Sequence, residues 1–263
     1  MKILVCLKQV PGEARFDRTT HTVIREERNQ VMNPSDLYAL ETALELKERL
    51  GAEVGAISMG KPFAAKMLAA AAALGADALY LVSDPAFAGS DTYATASILA
   101  AAIRHIGGAD LTLCGRRSID GETGQVGPQL SVMLRVPCLT NVSGIVSAAA
   151  TRLVCARLLE DRREIWRVAY PCLLTVCEGV EGITHPRLAG IADMIRARSL
   201  PVRLLTRKEL PDVEAFGRKG SPTQVRKAFT LETRERACLI ETNLVSGAAK
   251  ITDALRRART KTA

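Results

Sequence analysis

Three short segments of this chain have the residue types and spacing to do chemistry. The first is Cys114-Gly115-Arg116-Arg117-Ser118-Ile119-Asp120-Gly121-Glu122-Thr123-Gly124-Gln125-Val126-Gly127-Pro128, with four glycines in the thirteen residues from Gly115 to Gly127. It follows an apolar run and opens a helical pattern, so its backbone N–H groups can come close to a phosphate while the helix dipole favours the negative charge. Arg116 and Arg117 add the option of charge-assisted bonds. The alternative is an ordinary glycine-rich turn. The segment matches neither GxGxxG nor GxxxxGK followed by Ser or Thr, which disfavours a Rossmann fingerprint and a P-loop NTPase. The second segment, Asn33-Pro34-Ser35-Asp36, is a helix cap with Pro early in the first turn. It is either a plain cap or a free helix N-terminus that meets a ribose or an adenine edge. The third, Asp84-Pro85-Ala86-Phe87-Ala88-Gly89-Ser90-Asp91-Thr92-Tyr93-Ala94-Thr95, has small residues that let a planar group lie close, and read alone it is also a capping loop. No His and carboxylate pair flanks a Ser or Cys nucleophile, no HExxH occurs, and no paired acidic motif suggests two metals. The chain reads as a nucleotide holder without catalytic machinery of its own and without a metal site.

The elements that must position these segments alternate. Residues 2–8 read as a buried strand and 16–25 as a hairpin-like excursion. A helix from the Asn33 cap to Gly51 follows, then a strand over 53–58, an Ala-rich helix over 62–74, a strand over 78–82, a helix over 91–106 capped by Ser90 or Asp91, a strand over 110–114, and a helix over about 124–134. Strands alternating with helices imply an α/β fold, a mostly parallel sheet with helices on both faces. Such sheets bind ligands beyond the carboxyl ends of their strands. Here those junctions are residues 7–11, 58–61, 83–92 and 114–125, which take in most of the first and third segments. Residues 137–146, 152–158, 163–169 and 172–177 read as further strands in an antiparallel, β-hairpin extension. Residues 183–225 are loop-rich, with four of the eleven prolines, and 227–257 form a helix broken near Ser246-Gly247. The expected division is therefore an α/β nucleotide-binding domain over 1–182 and, over 183–263, a loop-rich stretch followed by a C-terminal helical arm.

The chain has 263 residues, 48% of them hydrophobic and 24% charged, enough for a full core and too ordered in composition for bulk disorder. No run reaches 18 uninterrupted apolar residues, and the five apolar residues Ile3 to Leu7 are too few for a signal-peptide core, so no membrane insertion and a cytoplasmic location are expected. The seven cysteines form no CxxC pair and the three histidines are scattered, which favours reduced core thiols over zinc. The net charge of +8 is unevenly placed: residues 1–150 carry 14 Lys and Arg against 15 Asp and Glu, and residues 151–263 carry 22 against 13. With one Trp, four Tyr and five Phe there is little surface for stacking bases. The basic half suits an acidic protein or a phosphate-bearing ligand at least as well as nucleic acid.

The three segments, in this order and spacing, resemble the beta subunit of electron transfer flavoprotein. So does a further stretch, Arg157-Leu158-Leu159-Glu160-Asp161-Arg162-Arg163-Glu164 leading to Tyr170-Pro171-Cys172-Leu173-Leu174-Thr175, which departs at Arg162, where the family usually has Gly or an acid. The resemblance runs from Met1 to at least Arg198. It implies a heterodimer with an alpha subunit that carries an electron-shuttling FAD, and a nucleotide on the beta subunit: AMP in the simple type, a second FAD in the electron-bifurcating type. Carried over by position, the nucleotide would be met by Cys6, by Asn33, Pro34, Ser35 and Asp36, by Ala56 and Met59, and by Arg116, Arg117, Ser118, Ile119, Asp120, Gly121, Glu122, Thr123, Gly124 and Gln125. The sequences SDPAFAGSDTYAT and SIDGETGQVGP resemble the anaerobic, bifurcating-type members, which implies FAD with AMP as the alternative. Phe87, Gly89, Asp91, Thr92 and Thr95 would then lie near the flavin ring.

Residues 185–198, His185-Pro186-Arg187-Leu188-Ala189-Gly190-Ile191 onward, resemble the family's recognition loop, which docks on an acyl-CoA dehydrogenase. Ile191 stands where the family has an apolar anchor, with Arg187 and Arg196 around it; an aliphatic plug ringed by Arg is a sound hot-spot design. An amphipathic helix start packed on its own domain is the plainer reading. Two rivals belong to other classes: a nucleotide-binding signalling module with no redox role, and a nucleic-acid binder using the basic half.

Overall fold

In the computed structural model of the protein, the described residues are 1–12, 16–17, 22–23, 30–183, 185–225 and 240–260. In chain order the elements are β1 (Lys2–Cys6), β2 (Gln9–Pro11), β3 (Phe16–Asp17), β4 (Thr22–Val23), β5 (Gln30–Met32), α1 (Pro34–Leu50), β6 (Glu53–Met59), α2 (Ala65–Leu74), β7 (Ala78–Val82), α3 (Thr92–His105), β8 (Leu111–Gly115), α4 (Val126–Leu134), β9 (Cys138–Ala149), β10 (Arg152–Leu158), β11 (Arg163–Ala169), β12 (Cys172–Val176), α5 (Ile191–Ala197), β13 (Val202–Leu205) and α6 (Leu244–Thr260). The chain forms two compact units, Met1–Ala228 and Phe229–Ala263.

The first unit is built on a nine-stranded sheet in the order β11-β10-β9-β12-β8-β1-β6-β7-β13. From β9 through β12 to β13 every pairing is parallel, and β9, β10 and β11 form an antiparallel meander at one end. Strand alternation splits the core in two. Ile3, Val5, Leu111 and Leu113 face α1 and α2, with Leu40, Leu44 and Leu68 packed on them. Leu4, Cys6, Ile57 and Leu173 face α3 and α4, with Ile98, Ile103 and Leu130. Helices thus cover both faces, as the strand and helix alternation implied. Between β1 and β8 the chain direction across the sheet reverses: β1 leads to α1 on one face and β8 leads to α4 on the other.

One expectation about the sheet is corrected. Cys172–Val176 does not close the antiparallel extension; it lies inside the sheet, parallel to both β8 and β9, because all five residues are buried on both faces. The first compact unit runs on to Ala228, and within it β13 adds a ninth strand beside β7. The hairpin-like excursion survives as the antiparallel pair Phe16–Asp17 with Thr22–Val23; residues 24 and 25 lie outside the described residues.

Of the expected helix over 227–257, residues 227–239 lie outside the described residues. From Leu244 to Thr260 the helix is continuous, so the break expected near Ser246-Gly247 is absent. Those residues form a first turn held by Asn243 Oδ1, which accepts from Val245 N at 3.0 Å and Ser246 N at 3.1 Å. Leu244, Ile251 and Leu255, at helical spacing, are exposed. No helix among the described residues is long and apolar enough to cross a membrane.

Candidate nucleotide site at the reversal between β1 and β8

Where neighbouring strands send their connections to opposite faces, the carboxyl edge of the sheet opens into a crevice. The residues lining that edge are tied together by a clasp. Asp36, in the first turn of α1, is buried, and its carboxylate accepts from the backbone N–H of Lys8 at 2.7 Å and of Gly115 at 3.1 Å. Burial pushes this carboxyl up to about 7 although both bonds and the nearby Lys8 ammonium favour the ionised form. Gly115 is required by that approach: a Cβ there would overlap the Asp36 carboxylate and stand 2.7 Å from Asp36 N. Asn33 was expected to cap α1 with its side chain, and it does not. Its amide reaches across to the glycine-rich loop instead, Nδ2 donating to Arg117 O at 2.9 Å and Oδ1 accepting from Ile119 N at 3.1 Å. Lys8, which the sequence did not single out, completes the clasp: its Nζ donates to Asp120 Oδ1 at 2.6 Å and to Ser118 Oγ at 3.2 Å. Its only sequence signal was a lysine closing an apolar strand.

Beyond the clasp the loop is a row of donors. The backbone N–H groups of Gly121, Thr123, Gly124 and Gln125 meet no acceptor among the described residues, and these four residues are exposed or half-buried. Glu122 holds a left-handed backbone at φ 51°, a strained setting for a non-glycine residue, with its N–H on Ser118 O at 2.9 Å. Gly127 lets α4 settle on β12, since a Cβ there would stand 2.6 Å from Thr175 Cγ2. Gln125 Oε1 accepts from Thr92 Oγ1 at 2.9 Å, which joins the N-termini of α3 and α4. Arg116 lies against the Cys177 thiol, and Arg117 stands 3.9 Å from Glu122. A phosphate-bearing ligand fits this donor set. At the carboxyl end of β6, between Ala56 and Met59, the buried Ser58 hydroxyl also lacks a partner among the described residues.

The remaining expected residues are less uniformly placed. Cys6 is buried beneath the crevice, directly across from Cys114, whose thiol is pushed far up by its bond to Cys6 and by burial. Ala56 is buried mid-strand rather than at a strand end, and Met59 ends the strand half-buried. Pro34 is half-buried, while Ser35 is buried and donates to Glu178 Oε1 at 2.7 Å. Phe87, 3% exposed, belongs to the core, edge-on to Phe216 at 6.2 Å. Asp91 caps α3 by accepting from Ala94 N at 3.0 Å and takes two more bonds from Thr223, at 2.8 Å from its N–H and 2.6 Å from its hydroxyl. Burial raises its carboxyl, but these bonds outweigh it and hold the group below its ordinary range. Gly89 is exposed; Thr92 and Thr95 are half-buried. Residues 206–225, read from sequence as loop, strap this junction through Arg207 N to Asp84 Oδ2 and Gly217 N to Ser90 Oγ as well.

The electron transfer flavoprotein domain family matches residues 20–209. An electron transfer flavoprotein subunit beta from Thermoanaerobacterium thermosaccharolyticum is 42% identical over 253 residues, 95% of each chain. The chain belongs to the electron transfer flavoprotein beta-subunit family. Among its relatives are the caffeyl-CoA reductase-Etf complex subunit CarD of Acetobacterium woodii, 41% identical over 88% of each chain, and the acryloyl-CoA reductase electron transfer subunit gamma of Anaerotignum propionicum, 38% identical over 88% of each.

In this electron transfer flavoprotein chain the segment expected to dock a partner is exposed and anchored. Leu188 is 94% and Ile191 75% exposed, with Met194 and Ile195 beside them, while Ala197 is buried. Arg187, expected beside Ile191 in that segment, is engaged within the chain. It is bound to α1, with Nε donating to Glu41 Oε1 at 2.9 Å and Oε2 at 3.1 Å, its own N–H to Glu41 Oε2 at 2.8 Å, and Nη1 to Glu48 at 2.7 Å. Arg196 is exposed and pairs with Asp193 at 2.8 Å.

Proposed function

We propose that this chain is the beta subunit of a heterodimeric electron transfer flavoprotein, holding FAD at the crevice between β1 and β8. With its alpha subunit it passes electrons between NADH or another donor and an acyl-CoA dehydrogenase, by flavin-based bifurcation. The observation that carries the reading is the clasp with its row of unengaged N–H donors at the sheet reversal. It supports adenine-nucleotide binding, and the relatives named for CoA-thioester reductases support the redox role. FAD, when bound, supplies the electron chemistry; the chain's residues hold and orient. Gly121, Thr123, Gly124 and Gln125 offer N–H groups to the phosphates, and Asn33 and Asp36 fix the shape of that loop. Gly89, Thr92 and Thr95 are the accessible groups at the junction before α3 and would be the ones to meet the flavin ring, and the apolar stripe of α6 suits an arm that grips the alpha subunit.

One observation favours a second reading, AMP in place of FAD. Phe87 is in the core and Asp91 is engaged by Ala94 and Thr223, which leaves the junction before α3 with few open polar groups and suits a ligand confined to the clasp. Nucleotide release from the chain co-purified with its alpha subunit separates the two. Two FAD per heterodimer and no AMP is the expected result; one FAD with one AMP selects the second reading, and no adenine nucleotide on this subunit rejects both.

A further inference from the structure

The two lips of the crevice are far apart in sequence, and Lys8 joins them alongside Asn33 and Asp36. Lys8 follows β1 directly, where its N–H is held by Asp36 and the preceding Leu7 N–H by Ile57 O at 2.8 Å. From this fixed backbone its side chain reaches 112 residues along the chain to Asp120. The pair is no ordinary surface bridge: the Asp120 side chain is only 3% exposed, whereas that of Lys8 is 43% exposed. An ammonium has three donors. Asp120 and Ser118 take two of them, and the exposed side of Lys8 keeps one for a ligand. The other cations of the loop are differently placed: Arg116 and Arg117 are exposed, one against Cys177 and the other facing Glu122. We propose that Lys8 is a positioning residue that shapes the glycine-rich loop through Asp120 and Ser118 and supplies the cation that meets the phosphate of the bound nucleotide. The proposal rests on the nucleotide-holding reading above and adds the residue that selects for the phosphate.

The test uses the heterodimer stripped of its nucleotide, with AMP and adenosine as probes, because they share adenine and ribose and differ in the phosphate alone. Calorimetric titration compares wild type, Lys8→Met and Lys8→Arg. Loss of a charge-assisted bond predicts that Lys8→Met weakens AMP by about ten- to a hundredfold, leaves adenosine within about twofold, and that Lys8→Arg keeps most of the preference for AMP. An equal loss for AMP and adenosine would make Lys8 a support of the fold only, and undiminished AMP binding by Lys8→Met would remove it from the site; either result overturns the proposal. A wild-type heterodimer that binds neither AMP nor FAD at this subunit brings down the nucleotide reading itself, a result distinct from both.

Discussion

At the scale of single residues the site is held by buried polar groups that serve the backbone, and Asp36 is the one whose charge matters most. In the unfolded chain its carboxyl titrates near about 4, and burial pushes it up to about 7 in the folded protein. A raised folded pKa means that the folded state binds the proton more tightly. The contribution of Asp36 to stability is therefore full below about pH 4 and is lost as the pH rises through about 7. Asp36→Asn cannot titrate, and it keeps one acceptor for the Lys8 and Gly115 N–H groups. It is expected to melt lower than wild type at about pH 5 and to show a flatter fall in Tm between about pH 5 and pH 8. Parallel Tm curves for the two proteins would show that Asp36 is not what couples folding to pH. Asn33 and Asp36 were legible as a cap signal, but their work on the loop was not, because Asn33 reaches partners 84 and 86 residues away. Lys8 was invisible for the same reason: its meaning lies in Asp120, and only the sheet order brings the two together.

Among the elements, α1 serves both ends of the molecule's task. Its first turn clasps the glycine-rich loop, and farther along, Glu41 and Glu48, about two turns apart, hold Arg187 at the base of the proposed docking segment. Glu41 is buried, so removing the guanidinium leaves its carboxylate with little beyond the N–H of residue 187. With Arg187 about one-third exposed, solvent screening limits the cost of Arg187→Ala to about 1–2 kcal/mol. The loss is local: amide protection over residues 185–198 is expected to fall about tenfold, with Arg187→Lys in between because it cannot form the fork. Unchanged exchange there would mean that the segment is held by its apolar contacts alone. The elements themselves were largely legible. β1, α1, β6, β7, α3 and β8 fall within a residue or two of the periodicity, since their apolar spacing and glycine stops are local signals. β12 was misplaced because chain adjacency suggested a hairpin with β11; the unbroken burial of Cys-Leu-Leu-Thr-Val was the sign of a strand covered on both faces. β13, with Arg203 inside a proline-rich and arginine-rich stretch, has no local signal and exists as a strand through its pairing with β7.

For the molecule as a whole, the two roles proposed for it, holding a nucleotide and docking a partner, fall to groups that differ in place and chemistry. The clasp consists of buried and half-buried polar groups at the carboxyl edge of the sheet. The proposed docking segment is an exposed apolar cluster, Leu188 just ahead of a short helix and Ile191, Met194 and Ile195 on it; Ala197 of that helix is buried, and Arg187 ties its base to α1. No side chain belongs to both. An isoleucine 75% exposed at the start of α5 contributes little to folding, so its burial is available to a partner pocket, where an aliphatic anchor is worth about 2 kcal/mol or more. Ile191→Asp places a carboxylate in that pocket without touching the clasp. Electron delivery to an acyl-CoA dehydrogenase is expected to fall at least about thirtyfold at subsaturating acceptor, the factor that about 2 kcal/mol implies, while nucleotide content and Tm stay at wild-type values. Reduction of a small artificial dye, which needs no docking pocket, serves as the internal control and should be unaffected. Equal losses with dye and dehydrogenase would place the defect in the cofactor site rather than at the surface, and wild-type coupled activity would remove Ile191 from the docking role.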